Sequence, residues 1–285
     1  MASFFNQATL VFQGRRSNSN ITESEIVDAL SLTKTAISQN YGANDAIAYA
    51  ISIVNTGSDA LEDVTLTDNL GAYEIGGNTV YPLDYVEGSL RYFVNGALQA
   101  TPAVTPGAPL VISGINVPAG ANVLLIYEAR ANEFAPLEAG SVITNEVNSD
   151  TAVICSELSD TATVPVREEA LPFITKFASD EEISCGGEIT YTFVLQNLGN
   201  TPVVATDDLT VEDVFNPILD ITSVELNGAE LAAGTGYNYN EATGEFATVP
   251  GAITIPAATY EQDAETGIIT TTPGVAVLTV TGTVS

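Results

Sequence analysis

The chain has 285 residues, 45% of them hydrophobic, and a formal charge of −29 from 36 acidic against 7 basic side chains. So acidic a surface repels nucleic acid and anionic lipid, and the absence of histidine removes His-based metal sites and acid–base catalysts. No apolar run approaches the roughly 20 residues of a membrane span, and no basic-then-apolar leader is visible at the N-terminus.

Val, Thr, Ile and Tyr are abundant, and 23 Gly with 13 Pro punctuate short runs. That pattern predicts an all-β chain. In residues 1–27, Phe4, Asn6, Ala8, Leu10 and Phe12 alternate with Phe5, Gln7, Thr9 and Val11, which is strand periodicity. Gly14-Arg15-Arg16 then predicts a turn, and Ser17 to Val27 a second, more polar strand. The same pattern returns at Val142-Ile143-Thr144-Asn145-Glu146-Val147 followed by Ala152 to Val166, where it closes a domain. At the start of the chain there is no preceding domain to close. At the end, Val284-Ser285 stops where such a hairpin should follow. The expectation is an N-terminal donor hairpin that completes the C-terminal domain of a neighbouring molecule.

Between these ends the chain repeats itself. Leu32-Thr33-Lys34-Thr35-Ala36 matches Ile174-Thr175-Lys176-Phe177-Ala178, an offset of 142 residues. Tyr49 to Gly57 matches Tyr191 to Gly199 at the same offset, both ending in Asn-x-Gly. Val64-Thr65-Leu66-Thr67-Asp68 matches Leu209-Thr210-Val211-Glu212-Asp213 after a short insertion. Asn95-Gly96 and Asn227-Gly228 predict type I′ hairpin turns. Ile115 to Ala119 matches Ile253 to Ala257, and Asn122 to Tyr127 matches Val275 to Val280 beyond an insertion at Ala258 to Gly274. The blocks keep their order, so the chain reads as a duplication. Each copy holds about seven short strands, the pattern of an Ig-like sandwich. The predicted organisation is a donor hairpin at 1–27, an Ig-like domain at 28–167, and a second, incomplete acceptor domain at 168–285.

Tyr-x-Ile-x-Val-x-Asn-x-Gly, then Val-x-Leu-Thr-Asp, a Pro-Ala-Gly turn and a late Thr-Asn-Glu-Val resemble the Ig-like conserved-repeat domains of bacterial and archaeal surface proteins. The resemblance covers nearly the whole chain, and it implies stalks or surface layers and no enzymatic role. The second copy departs from the pattern by lacking the closing hairpin and carrying the insertion.

Three polar residues fall on core-facing phases. Lys34 is in phase with Leu30, Leu32 and Ala36; Asp68 with Val64 and Leu66; Asn145 with Ile143 and Val147. Such groups are costly inside unless they meet one another. One reading is a buried Lys34–Asp68 ion pair with Asn145 beside it, or a bulge that turns one of them outward. The other comes from a resemblance to Ig-like domains of Gram-positive adhesins and pilins that join a lysine to an asparagine beside a buried acid. That chemistry uses burial, which lowers an amine's pKa and raises a carboxylic acid's. The resemblance gives Lys34, Asp68 and Asn145 those roles within the first copy. Across two molecules it gives them to Lys176, Asp213 and Asn6. The only two lysines of the chain hold equivalent positions.

Cys155 and Cys185 are expected near the surface, as free thiols or as a disulfide between domains or subunits. The acidic clusters Asp180-Glu181-Glu182 and Asp207-Asp208 with Asp213 lack the spacing of a dedicated Ca²⁺ loop and read as solvated charge. No metal or cofactor is expected. The expected function is a structural subunit of an extracellular cell- or spore-surface filament, a head-to-tail homopolymer with donor anchors Phe4, Ala8, Leu10 and Phe12. It would have no nucleic-acid partner, no membrane insertion and an unknown anchor protein. The alternative is an adhesin or glycan-binding module using Tyr237, Tyr239 and Tyr260. A hydrolase is poorly served, with no His and no nucleophile motif.

Overall fold

The computed structural model describes residues 2–26, 30–149 and 158–284, and all of their side chains except those of 2–4, 25 and 26. The elements are strands, with one 3-10 turn at Ala205–Asp207 and no α-helix among the described residues. The chain divides into two compact units. Unit one is Met1–Glu74, Thr79–Asn132 and Ile143–Val164; unit two is Ile75–Asn78, Glu133–Val142 and Pro165–Ser285.

The N-terminal stretch is a long hairpin. Strands β1 (Ala2–Asn6) and β2 (Thr9–Phe12) run out; β3 (Arg15–Asn18) and β4 (Thr22–Ile26) run back. Its turn is Gln13-Gly14, both at positive φ, which is the type I′ geometry. The turn expected at Gly14–Arg16 is therefore misplaced: Arg15 and Arg16 already pair with Phe12 and Val11. Ser19, Asn20 and Ile21 sit opposite only Gln7 and Ala8, between the Asn6–Thr22 and Thr9–Asn18 pairs. This bulge splits the predicted return strand in two, and the outgoing strand is interrupted opposite it at Gln7-Ala8. Neither half of the hairpin joins a sandwich sheet. Phe5, Leu10, Val11, Phe12 and Ile21 are all exposed.

Unit one begins with β5 (Leu30–Ala36), β6 (Ala46–Asn55) and β7 (Leu61–Asp68). A small hairpin, β8 (Tyr73–Ile75) with β9 (Asn78–Val80), precedes β10 (Leu83–Tyr85), β11 (Arg91–Val94), β12 (Ala97–Leu98) and β13 (Ala103–Thr105). Then come β14 (Leu110–Val117), β15 (Asn122–Ala131), β16 (Val142–Ser149) and β17 (Leu158–Pro165). One sheet has the order β12-β11-β15-β6-β5, with β10 also on β15, and the other β13-β14-β7-β16-β17. Alternation sets the faces. Ile47, Tyr49, Ile51 and Ile53 of β6 are buried, as are Val123, Leu125 and Tyr127 of β15 and Val64 and Leu66 of β7. The result is an Ig-like sandwich with its core between the two sheets.

The repeated Asn-x-Gly is a tie between strand and turn. Asn55 Nδ2 donates to Asp59 O at 2.9 Å and to Val117 O at 3.2 Å, while its Oδ1 accepts from Gly57 N at 2.9 Å. Asn197 does the same work in unit two, donating to Thr201 O at 2.8 Å and Pro256 O at 3.0 Å and accepting from Gly199 N at 2.9 Å. Both are buried with every amide atom engaged.

Unit two is built from β18 (Pro172–Ala178), β19 (Glu188–Asn197), β20 (Glu212–Val214), β21 (Leu219–Leu226) and β22 (Ala229–Glu230). They are followed by β23 (Tyr237–Asn240), β24 (Glu245–Thr248), β25 (Thr259–Gln262), β26 (Ile269–Thr272) and β27 (Gly274–Val284). Its first sheet, β18-β19-β27-β21-β22, repeats that of unit one. The predicted insertion is the β25–β26 hairpin. Asn95-Gly96 and Asn227-Gly228 both have positive φ and join paired strands, as expected of type I′ turns. The second sheet differs. In unit one β7 lies between β14 and β16, but β20 pairs β24 and no other strand among the described residues.

That open edge changes the burial of β18. Leu32 of β5 is 8% exposed, whereas its equivalent Ile174 is 55% exposed. Phe173 and Phe177 lie on the other face and are exposed, as Ser31 and Thr35 are in unit one. Leu32→Ala should therefore cost unit one about 2–5 kcal/mol. Ile174→Ala should cost the isolated chain below about 1 kcal/mol, since most of its surface is already in water. Denaturant unfolding of the two variants measures the difference.

Candidate functional site

In unit one the structure brings Lys34, Asp68 and Asn145 together, and places Tyr127 among them. Lys34 Nζ is 2.6 Å from Asp68 Oδ2, with both side chains at most 1% exposed. Tyr127 donates its hydroxyl to the same Asp68 oxygen. Asn145 Nδ2 donates to the Tyr127 hydroxyl at 3.1 Å, and Gly71 N donates to Asn145 Oδ1 at 3.3 Å. Leu70 N holds the other Asp68 oxygen at 3.0 Å. Four strands meet here: β5 carries Lys34, β7 Asp68, β15 Tyr127 and β16 Asn145. Gly71 is required by its conformation, φ +75°, and by space: a Cβ there would lie 2.7 Å from Ile143 Cγ2.

Two stacked rings form the wall. Tyr49 and Tyr127 lie 5.5 Å apart, and Lys34 Nζ sits 5.1 Å from the Tyr49 ring centre. Burial lowers the Lys34 pKa to about 8, outweighing the opposing pull of Asp68 and, further off, Glu146 and Asp160. At neutral pH the site thus holds roughly a few hundred times more free amine than an ordinary lysine. Burial raises the pKa of both tyrosines, with the Asp68 charge adding to it. The neighbouring Asn145 amide opposes the rise at Tyr49, but it does not meet hydrogen-bond geometry there; that hydroxyl is buried with no hydrogen-bond partner among the described residues. Asp160 of β17 accepts from Lys34 N at 2.6 Å, which fastens the closing hairpin to β5.

In unit two Lys176 meets Asp213 in the same way. Its ammonium lies 4.3 Å from the Tyr191 ring centre and 5.3 Å from those of Phe193 and Phe215. Such contacts are worth about 0.5–2 kcal/mol each, depending on desolvation. Here the pair is open to water: the Lys176 side chain is 38% and the Asp213 side chain 19% exposed. A cavity of about 550 Å³ lies against this sheet, lined in part by Asp213, Val214, Tyr239 and Phe246. The strand registers pair Tyr49 with Tyr127 and Tyr191 with Val280, so unit two has a valine in the place of Tyr127.

Asn6 is exposed at the end of β1, where its carbonyl accepts from Thr22 Oγ1 at 3.2 Å. Of the expected donor anchors, Ala8, Leu10 and Phe12 are exposed; Phe4 pairs with Ser24 through its backbone, and its side chain lies outside the described ones. Cys185 is an exposed free thiol, and Cys155 lies outside the described residues. The tyrosine cluster expected on loops is not one. Tyr237 and Tyr239 lie on β23 against the core, Tyr237 stacked on Phe246 at 5.4 Å and Tyr239 bonded to Leu219 O at 2.9 Å. Tyr260 is on β25 and donates to Leu198 O at 2.9 Å. The apolar ring outweighs the polar tip, so Tyr237 and Tyr239 turn inward. Among the described residues no group of acidic, His or Cys side chains is placed to hold a metal ion.

No protein-family model matches the chain, and no curated protein matches it in sequence. Among solved structures it is similar to BcpA, the major pilin subunit of Bacillus cereus, at 11% identity and a TM-score of 0.35, over 95% of this chain and 73% of that one. It is similar to the full-length RrgB pilus protein of Streptococcus pneumoniae at 12% identity and 0.34, over 89% of this chain and 41% of that one. A third is ACE19, the collagen-binding subdomain of the Enterococcus faecalis surface protein ACE, at 9% and 0.31, over 50% of this chain and 99% of that one. The chain spans less than half of full-length RrgB. Likeness at this level does not carry function, and the resemblance to conserved-repeat domains rests on the order of the sequence blocks.

Two outcomes test the electrostatics of unit one. An Asn145→Ala chain, which keeps the Lys34–Asp68 pair, should gain stability as pH rises from about 8 towards 10. Below that range Lys34 is protonated whether folded or not; within it the folded chain holds a neutral amine and the unfolded chain a charged one. Above about pH 10 the trend should reverse, because the buried tyrosines stay protonated while unfolded ones ionise. Chemical denaturation across this range reads both slopes. Tyr49→Phe should keep or raise the melting temperature, since it removes a buried hydroxyl whose lack of a partner costs about 1–3 kcal/mol.

Proposed function

We propose that this chain is a structural subunit of a self-assembling extracellular filament. Subunits polymerise head-to-tail: the N-terminal hairpin of one enters the open side of unit two of the next. The observation that carries this reading is the exposed Lys176–Asp213 pair beside an edge of β20 that no strand among the described residues pairs, where unit one has β16 and β17. A strand added to β20 would pair along its open edge and cover Ile174, which shares the phase of Lys176. The hairpin has what such a groove lacks, a run of exposed Leu10, Val11 and Phe12. Each large side chain so buried contributes roughly 1.5–3 kcal/mol. Insertion into another copy is a heterologous contact and leads to an open fibre.

In this reading both lysines form amide cross-links and the chain catalyses nothing else. Lys34 Nζ attacks Asn145 Cγ within unit one, and Lys176 Nζ attacks Asn6 Cγ of the inserted hairpin. Each reaction makes one amide bond and releases one ammonia. Register supports the second. Val147 pairs with Asp68 two residues after Asn145. A hairpin docked alike would set Ala8 against Asp213 and Asn6 beside Lys176.

Removing residues 1–22 should abolish fibres seen by negative-stain microscopy, and a peptide of residues 4–22 should bind the truncated chain. Fibres that persist would remove the donor hairpin from the account. Wild-type fibres boiled in detergent and reductant should run as a ladder. Asn6→Ala should still assemble, because its apolar contacts remain, yet its fibres should fall to monomer on the same gel. A wild type that also falls wholly to monomer would rule out the link between subunits.

A further inference from the structure

Four polar atoms of unit one form a line: Lys34 Nζ, Asp68 Oδ2, the Tyr127 hydroxyl and Asn145 Nδ2. Lys34 donates to Oδ2 at 2.6 Å, Tyr127 donates to the same oxygen, and Asn145 Nδ2 donates to Tyr127 at 3.1 Å. The order matches what amide formation requires. The attacking nitrogen must lose a proton, and the departing nitrogen must gain one. Asp68 touches the first; the second is bonded to Tyr127, whose hydroxyl oxygen accepts from Asn145 Nδ2 and whose own proton is donated to Asp68.

We propose that Tyr127 is a catalytic residue of the unit-one cross-link, relaying a proton from Asp68 to the amide nitrogen of Asn145. This deepens the reading that Lys34 and Asn145 become joined, and it rests on it. The step balances as follows. Neutral Lys34 Nζ bonds to Asn145 Cγ, and the carbonyl electron pair moves onto Oδ1, towards the Gly71 N–H 3.3 Å away. Nζ passes one proton to the Asp68 carboxylate; Tyr127 gives its hydroxyl proton to Nδ2 and takes the one on Asp68. The electron pair on Oδ1 returns, the Cγ–Nδ2 bond breaks, and ammonia leaves. Asp68 and Tyr127 end as they began.

Tyr127 is held for this role. It is buried, stacked on Tyr49 at 5.5 Å, with its hydroxyl fixed between two partners. Its phenol stays protonated because burial and Asp68 raise its pKa well above the ordinary value. Unit two supplies the contrast: Val280 stands in the equivalent place, so the Lys176–Asn6 link has no such relay.

The test is the rate of ammonia loss. The full chain is made by cell-free synthesis, quenched in acid at timed points, and weighed intact. Tyr127→Phe should acquire the unit-one mass deficit at least tenfold more slowly than wild type, with its far-ultraviolet circular dichroism unchanged. Wild type in mixtures of light and heavy water should show a rate that bows downward with deuterium fraction, since two protons move in one step; this needs no variant to fold. Val280→Tyr should speed the link between subunits in fibres. A Tyr127→Phe chain that loses ammonia at the wild-type rate, or a wild-type rate indifferent to deuterium, would overturn the relay while leaving the cross-link. A wild type that never loses ammonia would overturn both, and is told apart by that mass alone.

Discussion

A lysine ammonium inside an apolar sandwich is the constraint on which the rest of unit one depends. Removing one charge of a buried pair leaves the other uncompensated at a cost of about 3–5 kcal/mol. Lys34 is tolerated because Asp68, the face of Tyr49 and a closing strand surround it at once. Asp68 is in turn held by Leu70 N and Tyr127, and Asn145 by Tyr127 and Gly71 N. Polar networks of this kind are stabilising only when every member is satisfied. The strand that brings Asn145 is therefore part of what makes Lys34 possible.

Unit two keeps the lysine, the acid and the aromatic wall, and leaves the closing side open. Its Lys176 side chain is 38% exposed, and Ile174 on the same face of an edge strand meets solvent. The N-terminal hairpin has the complementary problem, with large apolar side chains exposed and no third strand to cover them. Each is unfavourable alone and each offers what the other lacks. In the proposed fibre, the closed unit would stiffen the subunit and the open unit would receive its neighbour.

Much of this was legible in the chain itself. The 142-residue offset put both lysines at one position, and phase with Leu32 or Val64 put Lys34 and Asp68 inside. Asn95-Gly96 and Asn227-Gly228 announced their turns because few other residues accept two successive positive φ angles. Tyr127 was hidden, since a tyrosine in an alternating strand reads as a core aromatic until its hydroxyl is seen between Asp68 and Asn145. Its replacement by Val280 in the matched block was the available signal. The bulge at Ser19–Ile21 left no mark because the return strand is polar on both faces and its register is set by the Gln13-Gly14 turn. Tyr237 and Tyr239 were misjudged because Gly236 and the interleaved Asn238 and Asn240 make β23 look like a loop.

The central claim is that a strand from another copy completes unit two. A cryo-electron microscopy reconstruction of assembled fibres tests it most directly. The account predicts residues 4–12 of one subunit running antiparallel to residues 212–214 of the next, with Asn6 beside Lys176. Fibres in which that edge is empty, or filled by any other segment, would contradict it.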